Sequence, residues 1–408
     1  MDGTAPPAAA RAVPVATLPA LMGADAGTGW RDARGVSEPA LLAARTAAYG
    51  LPGEPAELLR EAPTDDLWPA FVAHVMDGRV PGLLAEAVAG GALPVTAEQA
   101  GEVVAMHTSA MGFVAVLDDL LVDVAGRLDQ DGIELRVLKG AAVARLDYPA
   151  PGRRVFGDVD LLVRGDDIER AIDVLHLGGF TRRIPELRAG FDRRFGKGAQ
   201  LSRGFGLELD LHRTFADGPF GVSSRPDELF AAYDTIDVHG MQLRALTAVD
   251  RFVHACFHVA LSGHLRLSSV RDVAQLALIT RPDVDAVHDR FRSWRAEPVL
   301  ARAITRTWQI LDLGASSPWS DWAARFEYDR RARRALAASI GEGAGWPVKA
   351  LEGVRAVPGA ASKVAYLRAL AWPSPGFVAS RGVRRGARWS RAVASVRLWL
   401  RLGRRRRS

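Results

Sequence analysis

A single cysteine, Cys256, stands among 408 residues, which excludes an internal disulfide framework and any cysteine-rich zinc site and fits a reducing compartment. No run of 18 apolar residues occurs, so a membrane-spanning helix is not expected. The opening Met-Asp-Gly-Thr-Ala-Pro-Pro lacks the basic and apolar regions of a cleaved leader, and the expectation is a cytoplasmic protein. Lysine is scarce, four against 49 arginines, which draws attention to Lys139. Acidic residues are missing from Arg381 to Ser408, where eleven arginines stand; the net charge of +6 therefore leaves 6 − 11 = −5 for residues 1–380. A mildly acidic body excludes a phosphate-tracking groove across the main fold. Gly-x-Gly-x-x-Gly and Gly-x-Ser-x-Gly are absent, removing the dinucleotide-binding turn and the hydrolase elbow.

What is present is a globular composition, 48% apolar and 25% charged, in a chain too long for one core. Residues 1–36, rich in Ala, Pro, Gly and Thr, have no sustained periodicity and read as a disordered N-terminal segment. Residues 37–132 are helical, with segments Glu38–Tyr49 and Asp65–Met76 and a long one, Thr96–Asp129, in which Val103, Met106, Met111, Val114, Leu117, Leu121 and Val124 recur near one face. From 133 to 247 short strands and helices alternate: strands at Ile133–Leu138, Asp158–Val163, Gly179–Arg183, Ala199–Arg203 and Leu207–Phe215, helices at Ala141–Leu146 and Asp166–Leu177, and a hairpin over Thr235–Leu246 turning at His239-Gly240. Residues 248–375 are helical again, and 376–408 form an arginine-rich amphipathic tail. The expected fold is α+β, a small mixed-sheet core between two helical regions.

Three features of the sheet region carry chemistry. At Leu138-Lys139-Gly140 a strand passes directly into a helix, a turn that can cradle phosphate although such turns are common without it. In Gly157-Asp158-Val159-Asp160-Leu161 the two carboxylates point to one face of a strand and Val159 and Leu161 to the other. Side by side they repel, and a bound Mg²⁺ compensates both; a solvated strand end is the plainer alternative. Leu207-Glu208-Leu209-Asp210-Leu211-His212 alternates strictly, placing Glu208, Asp210 and His212 on one face and supplying a third carboxylate. Three carboxylates can hold two divalent ions that align a triphosphate and a hydroxyl for in-line displacement.

Lys139-Gly140, Arg154 four residues before Asp158-Val159-Asp160, Gly178-Gly179-Phe180 and Asp210-Leu211-His212 together resemble the nucleotidyltransferase-fold superfamily of DNA polymerase beta, and within it the bacterial group called nucleotidyltransferase family proteins. The likeness is strong over Arg136–Thr214 and continues weakly through Val253–His258 and Ser269–Ala274. It implies that Gly140 shapes the phosphate turn, that Asp158, Asp160 and Asp210 hold Mg²⁺ or Mn²⁺, and that Asp210 activates the acceptor hydroxyl. Glu208 and His212 stand as auxiliary residues. The superfamily's Gly-Ser or Gly-Gly is Lys139-Gly140-Ala141 here, so Lys139 and Arg154 are expected to meet phosphate instead, Arg154 from a loop over Pro149–Gly152.

The expected activity is transfer of a nucleoside monophosphate from an NTP, ATP foremost, to a hydroxyl of a small molecule, sugar, peptide or protein. The competing reading is an inactive binding or regulatory protein of the same fold, antitoxin-like or a scaffold. His254 and His258 at i, i+4, with His264 nearby, offer metal-ligand spacing in an otherwise apolar segment that reads better as core, and Cys256 between them reads as a small buried residue. Gly196-Lys197-Gly198 has no P-loop spacing and resembles no complete motif, with a mobile loop over the site as the modest functional alternative. In the tail, Arg384, Arg388 and Arg391 lie on one helical stripe and Trp389, Val393, Val396 and Leu400 on another. That pattern suits peripheral attachment to an anionic membrane surface, RNA or an acidic protein, or packing on the body.

Overall fold

Alternation along two strands decides how the central sheet is dressed. The structure, a computed structural model, describes residues 37–380 apart from 205, 264, 315, 341–345 and the side chains of 346–349. The expectations for residues 1–36, His264 and the arginine tail from Arg381 lie outside the described residues. Strands β1 (Leu135–Val137), β2 (Val159–Val163), β3 (Thr181–Arg182), β4 (Gly198–Arg203), β5 (Leu207–His212), β6 (Asp234–Val238) and β7 (Met241–Ala245) form one mixed sheet in the order β3-β4-β5-β2-β1-β7-β6. β2 runs parallel to β5 and β1 to β7; the other neighbours are antiparallel. This is the α+β architecture the sequence leads one to expect.

Register then fixes the two faces. Val159 lies opposite Leu209, Asp160 opposite Asp210, Leu161 opposite Leu211 and Leu162 opposite His212. Val159, Leu161, Val163, Leu209 and Leu211 share a core with Leu117, Leu121, Val124 and Leu128 of the long helix Ala97–Gln130 and with Ile168 and Leu175 of the helix Ile168–Leu177. Because side chains alternate, the same register aims Asp160, Asp210 and His212 away from that core. Leu162, on their face, belongs to the other core, built from helices.

The helical core unites distant parts of the chain. Helices Glu38–Ala48, Trp68–Asp77 and Pro81–Ala89 contribute Leu42, Phe71 and Leu84; helices Ala248–Leu261, Leu267–Gln275, Val284–Ser293 and Glu297–Leu311 contribute Phe257, Val270, Phe291 and Ile304. Each fully buried phenylalanine contributes about 1.5–3 kcal/mol. Arg271 donates through one Nη1 to the carbonyls of Ala47 at 2.9 Å and Tyr49 at 2.6 Å, tying the two groups together. The packing thus crosses the expected limits at 132 and 247, and the long helix serves both cores, Val103 lying in the helical one and Val114 to Leu128 in that of the sheet.

Local signals explain most ends. Thr96 and Gln99 form a capping box at the start of the long helix, each side chain accepting from the other's backbone N–H. The β6–β7 hairpin turns at His239 and Gly240, both at positive φ, as a two-residue turn requires. Pro81–Ala89 is a helix not anticipated from sequence, though Pro at its first position and Gly90 after its end mark it. Within the expected helical stretch, helix Leu267–Gln275 runs directly into a π-helical turn, Leu276–Thr280. Beyond Glu297–Leu311 the chain continues through Pro318–Arg325, Arg330–Ile340, Trp346–Ala356, Ala360–Ala371 and Pro375–Ser380, and Val357 and Tyr366 return to pack on Phe195 beside the sheet. No helix among the described residues is long and apolar enough to cross a membrane.

Candidate active site

Paired strands bring the predicted acids together. Asp160 is 3% exposed and Asp210 half-buried, partners across β2 and β5. The buried His212 completes a group in which one ligand atom of each side chain lies within 4.8 Å of the others. Asp160 Oδ1 accepts from Lys139 Nζ at 2.6 Å and from His212 Nε2 at 2.8 Å. With Nε2–H donating, His212 keeps Nδ1 as its unprotonated nitrogen, and that atom is buried with no partner among the described residues.

The charges of these groups are strongly coupled. Burial pushes the Asp160 carboxyl up, but Lys139 and the His212 hydrogen bond outweigh it and hold Asp160 well below the usual carboxylate range. Burial opposes the Lys139 charge too, and Asp160 and Asp158 more than restore it. Asp210 has no such partner: burial and then the Asp160 charge raise it from 3.8 to about 6. His212 is kept neutral, down to about 4, by burial and by the Lys197 charge. An unneutralised carboxylate beside a second carboxylate and an imidazole is a donor set of oxygen and nitrogen that fits a divalent cation, with Asp160 and Asp210 as oxygen ligands and His212 beside them.

Other predicted residues sit differently from the expectation. Asp158 lies just before β2, outside the group of three, and pairs with Arg79 Nη1 at 3.3 Å. Arg154 is buried against Asp272, Nε to Oδ1 at 2.7 Å and Nη2 to Oδ2 at 2.8 Å, with Tyr148 Oη donating to the same Oδ1 at 2.9 Å. The Pro149–Gly152 loop does not hang over the cleft with free arginines, because Arg153 pairs with Glu86 at 2.5 Å and Gly152 O contacts His107 Nε2 at 2.9 Å. Gly140 lies against Phe156, where a Cβ would stand 2.6 Å from the ring carbon, so ring packing requires glycine there. Lys139 itself starts its helix at φ 36°, a left-handed conformation that an unbranched lysine holds only under constraint. Glu208, on the same strand face as Asp210, is exposed and paired with Arg183.

The sequence pattern around Lys197 gave it no part in the charge of the site. Lys197 is half-buried beside β4, its N–H donates to Asp217 Oδ1 at 2.9 Å, and its charge acts on Asp160, Asp210 and His212. Burial and then the Lys139 charge lower its own pKa. Its signal in the sequence is the rarity of lysine. His254 stacks on Phe215 at 4.5 Å between ring centres, and burial followed by the Lys139 charge keeps both His254 and His258 neutral. Cys256 is fully buried.

Next to this group, and joined to it through Lys139, a cleft of about 230 Å³ runs between the sheet and the helical core, its walls including Lys139, Asp158, His254, His258 and Asp272. The site is therefore made by two bodies of structure rather than by the sheet alone.

Among solved structures, the chain is similar to the antibiotic-resistance factor ANT(2'')-Ia in solution, at 16% identity and a TM-score of 0.32, covering 45% of this chain and 92% of that one. A crystal structure of an antigenic nucleotidyltransferase-like protein from Paracoccidioides brasiliensis matches at 17% identity and 0.31, covering 48% and 92%. ANT(2'')-Ia in complex with adenylyl-2''-tobramycin matches at 14% and 0.30, covering 45% and 98%. No curated protein sequence matches. The model of one family, described as uncharacterised nucleotidyltransferase, matches residues 64–312, a stretch of 312 − 63 = 249 of the 408 residues that takes in both walls of the cleft. On that extent, the chain belongs to the uncharacterised nucleotidyltransferase family and is a transferase.

Proposed function

We propose that the protein transfers a nucleoside monophosphate from an NTP, ATP foremost, to a hydroxyl of a small molecule, sugar, peptide or protein, with Mg²⁺ or Mn²⁺ bound. The observation that carries this reading is the in-register pair Asp160–Asp210 on the sheet face turned away from its core, one carboxylate held ionised and the other raised to about 6. Asp160 and Asp210 would hold the cation with His212 beside them, and Asp158 from the cleft mouth. A divalent ion there supplies charge neutralisation of the phosphates and alignment for in-line displacement.

The residues themselves divide the remaining work. Asp210, raised to about 6 in the cation-free site, accepts the proton of the acceptor hydroxyl as its oxygen bonds to the α-phosphorus. The bond from that phosphorus to the oxygen bridging to the β-phosphorus breaks, and pyrophosphate leaves with the electron pair. Lys139 holds Asp160 in place and adds positive charge beside the reacting phosphate. His212, neutral and buried, fixes the second contact to Asp160.

The test uses the full chain with each of the four NTPs labelled at the α-phosphate, with and without Mg²⁺ or Mn²⁺. Thermal stabilisation and label transfer to acceptors of the classes above are read in parallel. Cation-dependent stabilisation by an NTP, followed by label on an acceptor with release of pyrophosphate, is the expected result. An NTP that binds only without need of a cation, and labels no acceptor, would instead support the regulatory reading.

A further inference from the structure

Five basic side chains line the cleft, and three are already spent. Lys139 is committed to Asp160, Arg154 to both oxygens of Asp272, and Arg251 to Asp147 and Asp234. The remaining two come from the helical wall. Arg266 makes no side-chain hydrogen bond or ion pair among the described residues, and its Nη1 is buried without a partner. Arg79 reaches Asp158 at 3.3 Å through Nη1, while its Nε is likewise buried and unpartnered. A buried guanidinium nitrogen without an acceptor is costly, and its natural complement is an anion that the protein itself does not supply.

Neighbouring hydroxyls converge on the same place. Ser268 and Ser269, 2% and 6% exposed, stand in the first turn of Leu267–Gln275 and line the cleft, and neither hydroxyl has a hydrogen bond among the described residues. Ser268 N–H donates to Gly78 O at 2.8 Å, which fastens the start of that helix beside Arg79, 189 residues earlier in the chain. The fold also makes two concessions to Arg79. Its backbone is left-handed at φ 55°, and position 157 is glycine, where a Cβ would stand 2.8 Å from the guanidinium carbon. Two guanidiniums and two hydroxyls, all with spare donors, suit a polyphosphate, whose several charged oxygens accept from each.

We propose that Arg79, Arg266, Ser268 and Ser269 form the seat of the β- and γ-phosphates of the NTP, and of pyrophosphate once transfer has occurred. This rests on the nucleotidyl-transfer reading for the identity of the anion, but not for the site itself. It places the terminal phosphates on the helical wall, while Gly140, packed on Phe156, serves the fold.

Isothermal titration of the full chain with inorganic tripolyphosphate and with an α,β-methylene NTP, the latter with Mg²⁺, tests the seat. Wild type binds both; Arg266→Met, Arg79→Met and the double variant Ser268→Ala/Ser269→Ala, which alters too little to unfold the chain, each weaken tripolyphosphate by about ten- to a hundredfold, the range for lost charge-assisted contacts. Arg266→Lys recovers part of the loss, and affinity for the nucleoside monophosphate stays within about twofold. Absence of tripolyphosphate binding in wild type, or unchanged affinity in all three variants, overturns the seat. If the variants bind the methylene NTP normally while Asp160→Asn does not, the seat fails and the transfer reading survives. If tripolyphosphate binds through these residues but no NTP does, the seat stands and the transfer reading falls.

Discussion

Lys139 and Arg79 line one cleft, yet their charges are used differently. Lys139 lies 2.6 Å from a carboxylate that is almost wholly buried, and the pair neutralises itself. Arg79 meets Asp158 at a looser 3.3 Å near the cleft mouth, with Nε left over. The sheet wall is an internally balanced network, Lys139, Asp160 and His212 bound to one oxygen, and its one unbalanced member is the acid Asp210. The helical wall is the reverse, carrying spare donors on Arg79 and Arg266. A surface that must hold a cation keeps spare negative charge, and one that must hold an anion keeps spare donors; the cleft has one of each.

The sharpest break of that comparison is Asp160→Asn. It removes the acceptor shared by Lys139 and His212 and the carboxylate held ionised, so transfer should fall by on the order of 10³-fold, and Mn²⁺ affinity read by electron paramagnetic resonance should fall with it. Undiminished Mn²⁺ binding would remove the sheet wall from cation binding.

Asp210→Asn comes next and isolates the unbalanced acid. In wild type, Mn²⁺ affinity should rise with pH through about 6 as the carboxylate gives up its proton to the ion, and the variant should lose that dependence. Stability carries the opposite sign. The folded state holds this proton with a pKa of about 6 against the ordinary 3.8, so the cation-free protein loses stability as pH rises from about 4 to about 6. Calorimetric melting across that window should show a larger loss without Mn²⁺ than with it, and Asp210→Asn should remove that difference, leaving the share of other raised carboxylates such as Asp147 and Asp250.

Gly140→Ala separates packing from phosphate contact. The new Cβ meets Phe156 at 2.6 Å, and overpacking of that kind costs about 1–3 kcal/mol, visible as a lower Tm with tripolyphosphate affinity retained. Affinity lost at unchanged Tm would return the phosphates to the sheet wall. Glu208→Gln is the smallest change: an exposed pair with Arg183 contributes within about 0.5 kcal/mol, and activity should stay within about twofold.

Much of the sheet wall was legible in the sequence because strand alternation is a local rule. Leu207-Glu208-Leu209-Asp210-Leu211-His212 does put its polar residues on one face, and Val159 and Leu161 do take the other. What alternation cannot give is depth: Glu208, Asp210 and His212 share a face, yet the side chain of Glu208 is 46% exposed and that of His212 2%. The helical wall was hidden for a different reason. Arg79 and Ser268 meet through a single backbone hydrogen bond between segments with no common motif, and Arg154 was drawn out of the expected role by Asp272, 118 residues away. Contacts of that span are set by packing, which leaves no periodic trace.

The shared helical core has a consequence in time. Helix Glu38–Ala48 is complete roughly 200 residues before Ala248–Leu261, and the arginine that caps its carbonyls, Arg271, is later still. At about 5–20 residues per second of synthesis, its apolar face waits on the order of 10–40 s for a partner. During that interval strands β1 to β5 and the long helix can assemble on their own core, leaving Leu42, Phe71 and Leu84 uncovered. Newborn chains of this protein should therefore be customers of a holding chaperone until residue 311 has cleared the ribosome, a demand that a circular permutant joining the two helical groups directly would abolish.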